Sequence, residues 1–223
     1  MARAETAEVR GPSRPHDEAE RASPPAVRRG LGALETTDPN KLGMLLFLGG
    51  EVVFFGLLIL AYVYYRGRWV GGNAGPTAKE VLDIGPTTIF TVCLLASSAT
   101  IWLSERSLAR GSHNGMRLWL FVTVALGAIF LVGQSLEYRN LFDEGITIGS
   151  GLFGTTFFTL TGFHGFHVFM GLVALTILLG LALRGDFRGP HSSALETTSL
   201  YWHFVDLVWI VVFSVVYLWT LAT

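Results

Sequence analysis

Glu51, His164, His167, His203 and Asp206 are the residues with the means to do chemistry, because each stands inside a long apolar run. A charge near the centre of a bilayer costs between about 2.5 and ~17 kcal/mol, depending on how helix and lipid respond. Each of the five therefore needs a partner, a proton or a function. Glu51 falls about nine residues into its run, ~14 Å along a helix. Such a carboxyl is either protonated or faces a buried partner. Two readings stand for it: a proton- or lipid-linked acid, and a neutral acid bonded to a neighbouring helix.

His164 and His167 lie three apart in TGFHGFHVFMG, on one face of a helix. Gly162, Gly165 and Gly171 surround them, and small residues let helix backbones approach closely. A metal or haem site is the sharper reading of the two imidazoles. A hydrogen-bond cluster between helices is the favoured one, since no third ligand type is near. His203 and Asp206 repeat the spacing in YWHFVDLVW, where a neutral imidazole and a carboxyl can satisfy each other. Packing with a fixed polar network is favoured there over direct proton movement. Gly43 with Gly50, and Gly49 with Gly56, are pairs seven apart that keep one face over two turns. They predict a close helix contact, within the chain or with a partner.

The elements that position these groups are predicted from charge and length. Only 15% of the 223 residues are charged and 51% are hydrophobic, with a mean hydropathy of +0.48. A soluble domain carries about 25% charge. Residues 1–40, rich in Pro, Ala, Arg and Glu, are expected to be a disordered tail. Residues 41–223 hold apolar stretches at Leu42–Tyr65, Ile84–Leu103, Leu118–Leu136, Leu152–Leu183 and Leu200–Ala222. A hydrocarbon core of ~30 Å needs about 20 helical residues, so each is long enough to span. The fold class is thus all-α, a polytopic bundle of five transmembrane helices. No acidic, basic or histidine residue besides the five named lies inside the spans so drawn. Tyr201 and Trp202 near one end, and Tyr217 and Trp219 near the other, fit aromatic belts at the interfaces, while Trp209 is too deep for a belt.

Lys and Arg set the orientation. With only Lys41 kept from the tail, six cations fall on the N-terminal side and four on the other. The N-terminus is therefore expected inside and the C-terminus outside. A lone cysteine, Cys93, supports no disulfide framework and no thiolate site. The basic residues of the tail alternate with acids and form no nucleic-acid patch.

Three stretches together resemble subunit III of the haem–copper cytochrome c oxidases. They are LGMLLFLGGEVVFFG, ITIGSGLFGTTFFTLTGFHGFHVFMG and YWHFVDLVWIVVFSVVYLW, in that family's order. The resemblance covers roughly Pro39–Thr223 and corresponds to the short bacterial form without the two leading helices. It implies a subunit that binds no haem or copper itself. Those centres are expected in the partners, subunit I as the main contact and subunit II. It also implies phospholipid binding, support of proton uptake into subunit I, and a place in the bacterial plasma membrane. Glu51, His164, His167, His203 and Asp206 fall on the family's motif positions. His191 stands alone where the family often has a pair, and Glu196 is retained. Subunit III of a quinol oxidase, or an accessory protein of nitric oxide reductase, fits the same motifs. An independent proton-linked carrier is disfavoured by the absence of internal repeats.

Overall fold

The computed structural model describes residues 38–66, 82, 84–187, 189 and 191–219. The expected tail, apart from its last three residues, and most of the first connector lie outside the described residues. Five helices run up and down: α1 Pro39–Arg66, α2 Ile84–Ala109, α3 His113–Asp143, α4 Leu152–Arg184 and α5 Ser193–Phe213. All five are long and apolar enough to cross a membrane, and no strand occurs among the described residues.

The helices outrun the apolar stretches that predict them. Hydropathy falls at the membrane surface, whereas a helix ends only where its backbone bonds are capped. α2 reaches Ala109 rather than Leu103, and α3 spans His113–Asp143 rather than Leu118–Leu136. The connector between them shrinks to residues 110–112. Gly111, at φ 75°, terminates α2 as its N–H returns to Leu108 and that of Ser112 to Ser107. Gly185 closes α4 in the same way, at φ 82°. This left-handed turn favours glycine because a Cβ there meets the following carbonyl. Ser112 and Ser192 cap the next helices, accepting from the N–H of Gly115 and Leu195 at 3.3 Å. The cap at Ser192 starts α5 seven residues before the apolar run at Leu200.

α5 is the central helix, packed against α1, α2 and α4. Half of its apolar window is buried, against 11% of that of α1, which lies on the outside against α4 and α5. α2 pairs along its length with α3, and α3 continues onto α4. Trp202 and Trp209 of α5 fill the middle with Phe130, Leu94 and Leu120. The Trp202 indole bonds Ser97 at 2.8 Å, and that of Trp209 bonds Thr91 at 3.0 Å. The last turns, Ser214–Leu218, widen to π geometry.

The belt expectation holds for Trp219, which is 42% exposed and carries Arg66 over its ring at 4.8 Å. It fails for Trp202, Tyr217 and Tyr201, which are 0%, 1% and 9% exposed. Their polar tips find partners inside the bundle, so no interface is needed to satisfy them. Trp209 packs in the core as expected, at 1% exposure.

Candidate functional site

Glu51 on the inner face of α1 meets His167 of α4, with Nε2 and Oε2 3.1 Å apart. Both side chains are mostly buried. The His167 Nδ1 lies 2.7 Å from the carbonyl of Phe163, an acceptor only, so Nδ1 carries the proton. A neutral His167 then offers a lone pair at Nε2. The pair is satisfied by a single further proton, on the carboxyl or on the ring. The approach has an ion-pair distance without the alignment of a hydrogen bond. Phe54 and Phe55 hold the imidazole in place, at ring distances of 6.3 and 5.0 Å. The Tyr201 hydroxyl donates to the His167 carbonyl at 3.0 Å. The arrangement brings a carboxyl of α1 and an imidazole of α4 together inside the bundle.

Beside it a groove of about 310 Å³ opens between α1, α4 and α5. Met44, Phe47, Phe166 and Met170 make it apolar, and His167 and Tyr201 border it. Of the Glu51–His167 pair, His167 stands in the groove's wall.

His164 departs from expectation. It is fully buried, and neither ring nitrogen has a hydrogen-bond partner among the described residues. Its ring stacks on Trp209 at 4.7 Å and meets the edge of Phe130 at 6.0 Å. The three-residue step from His167 turns it by about 60° around the helix, toward α5 instead of α1. The expected hydrogen-bond cluster thus divides into a Glu51–His167 pair and an aromatic stack.

His203 and Asp206 are joined through Ser98 of α2, a serine whose place on a distant helix gives no sign of the link in the sequence. His203 Nδ1 lies 3.1 Å from the Ser98 hydroxyl, and that hydroxyl donates to Asp206 Oδ2. Asp206 is 3% exposed, and its Oδ1 has no partner.

A third carboxyl, Glu137, lies within the helices beyond the spans that hydropathy predicts. The apolar stretch Leu118–Leu136 stops one residue short of it. The helix continues through it, and Glu137 accepts from Tyr217 at 2.9 and 3.0 Å and from Thr87 at 3.0 Å. The helical phase of LEY after the apolar run was the available signal.

The glycines separate into two groups. A Cβ at Gly165 would lie 2.7 Å from Gln134, and one at Gly171 would lie 2.8 Å from Trp202, so both are close-contact positions. At Gly162 the nearest side-chain atom is 3.7 Å away, ordinary contact. Gly43, Gly49, Gly50 and Gly56 face nothing within 4 Å, so no close contact within the described chain uses them. Among the described residues, no three His, Cys, Asp or Glu side chains are grouped to hold a metal ion.

The family profile described as cytochrome c oxidase subunit III matches residues 26–221. This chain belongs to the cytochrome c oxidase subunit III family. Cytochrome c oxidase subunit 3 of Corynebacterium diphtheriae is 35% identical over 192 residues, 86% of this chain and 94% of the relative. The probable cytochrome c oxidase subunit 3 of Mycobacterium tuberculosis strain H37Rv is 36% identical over the same shares. The quinol oxidase subunit 3 of Bacillus spizizenii is 37% identical over 185 residues, 82% of this chain and 89% of that one. The resemblance carried by the three motifs is met across nearly the whole chain. In this subunit III, Glu51–His167 and Ser98–His203–Asp206 sit on different sides of α5.

Proposed function

We propose that the chain is the non-redox subunit III of a cytochrome c-oxidising terminal oxidase in a bacterial plasma membrane. It seats against subunit I, with subunit II in the same complex, and supports assembly, lipid retention and proton uptake. The observation that carries this reading is the family match along residues 26–221. The polar groups are consistent with it, since they form pairs and relays suited to protons rather than ligand sets suited to metals. Glu51 and His167 are the proton-holding pair at the lipid groove. Haem and copper belong to the partner subunits. The excess of Lys and Arg supports an N-terminus in the cytoplasm and a C-terminus outside.

Purification of the tagged chain in mild detergent tests the reading. Oxidase subunits I and II, with their haem absorbance, should co-purify. A chain that purifies alone and stable would sink it. In the assembled enzyme, Glu51→Gln should leave the haem spectra unchanged while sustained turnover or lipid retention falls. Altered haem absorbance would count against a purely supporting role. The similarity to a quinol oxidase subunit 3 keeps a second reading in play. A co-purifying subunit II with a binuclear copper centre decides for cytochrome c, and one without it for quinol.

A further inference from the structure

Four residues of α5 that carry ionisable or hydroxyl groups share one face and one groove. Glu196, Ser199, His203 and Asp206 are spaced 3, 4 and 3 apart, which stacks them along a single stripe of the helix. The stripe starts at a cavity of about 240 Å³ at the end of the bundle where α1 begins. Trp102, Glu105 and Arg106 of α2 form one wall of that cavity, and His191 and Glu196 line the other. Lys41 of α1 pairs with Glu196, and His191 Nδ1 lies 3.6 Å from the same carboxylate. One turn deeper, the hydroxyl of Ser199, a residue only 2% exposed, sits beside the half-buried Glu105 without an aligned hydrogen bond. A further turn leads to His203, then through Ser98 to Asp206, whose Oδ1 is buried and unpartnered.

Two buried polar atoms thus lie on the same line: Ser199 Oγ, beside Glu105 without an aligned hydrogen bond, and Asp206 Oδ1, without a partner. An unsatisfied buried group costs about 1–3 kcal/mol, which a bridging water or a proton at these atoms would offset. From Ser199 to His203 the line steps four residues, about one helical turn. Side chains one turn apart start ~6 Å from each other, a distance that one bridging water spans.

We propose that the α2–α5 groove is a proton-exchange path from the aqueous end at Glu196 and Glu105 to Asp206, with His203 and Ser98 as its relay. This rests on the reading of the chain as an oxidase subunit and adds a path within the subunit itself. A proton taken up at the Glu105 or Glu196 carboxyl passes by way of Ser199 to Nε2 of His203. The ring releases its Nδ1 proton to Ser98, and the Ser98 hydroxyl releases its own to Asp206 Oδ2. Each transfer breaks one O–H or N–H bond and forms one. The imidazole ends in its other tautomer and resets by the reverse exchange.

Infrared difference spectroscopy of the assembled oxidase after transfer to heavy water tests the path. The Asp206 carbonyl band is identified by its loss in Asp206→Asn. If that variant does not assemble, it is identified by its displacement in Asp206→Glu. The band should shift on deuteration in the wild type. In His203→Leu its exchange should slow about a hundredfold, the low end of what a positioned proton-transfer group contributes. A band that never exchanges, a band absent at every pH, or an exchange rate indifferent to His203→Leu would each overturn the proposal. These outcomes leave the oxidase assignment standing, because they are read in a complex that has already co-purified.

Discussion

Tyr217 is buried from ring to hydroxyl, and the two oxygens of Glu137 are the acceptors its hydroxyl reaches. Glu137→Leu strands that hydroxyl in an apolar site, at about 1–3 kcal/mol. Glu137→Gln keeps an acceptor oxygen and should cost less. The thermal midpoint of the purified complex, compared across the two variants, checks the order. Equal midpoints would mean that the carboxyl is not what satisfies Tyr217. Trp209 offers a second residue-level test, because its indole bonds Thr91 while its face covers His164. Trp209→Phe retains an aromatic face and loses the N–H. A loss of about 1 kcal/mol, the net worth of one hydrogen bond, is expected in the same melt.

The seam between α2 and α3 depends on Gly133, where a Cβ would fall 2.3 Å from the Phe90 ring. Gly133→Ala must push that ring aside and should destabilise by about 1–3 kcal/mol, as overpacking does. Gly49→Ala meets nothing within 4 Å and removes a helix-breaking residue. It should be neutral or stabilising by up to ~1 kcal/mol. Loss of subunit III from the purified oxidase in Gly49→Ala, with the fold intact, would show a partner seated on that face. α1 also has a pH-dependent start. The Ser193 hydroxyl and the Asn40 N–H hold the Asp38 carboxyl below its ordinary value of 3.8. A depressed carboxylate stabilises above its unfolded pKa and loses the effect as pH falls through that value toward the lower folded one. Acid melts of the wild type should therefore steepen below about 4, and those of Asp38→Ala less so.

For the whole molecule, the up-and-down order places residues 110–112, 185–187, 191 and 192 at the end where α1 begins, and residues 144–151 at the other. With the N-terminus in the cytoplasm, a cysteine at Ser112 should react with an impermeant maleimide only from the cytoplasmic side. One at Gly145 should react only from outside. The reverse pattern would invert the orientation and move the proton entry at Glu196 to the outer surface.

The number of helices, their apolar character and the family were legible in the sequence. Each depends on a local quantity: an apolar length set by the bilayer, or a motif read in order. The five ionisable residues were legible for the same reason, as exceptions within apolar runs. Their partners were not. A helix spacing says which residues share a face, but not which helix that face meets. His164 and His167 read as one cluster, yet a turn of about 60° sends one to Trp209 and the other to Glu51. His203 and Asp206 read as a pair, yet Ser98 from a helix 105 residues away joins them. Glu137 escaped because hydropathy measures lipid contact, and a carboxyl at a helix end registers as a connector until Tyr217 is seen against it. Only the lateral order of the five helices, with α5 in the middle, decides which polar groups meet, because those contacts run across the bundle and not along the chain.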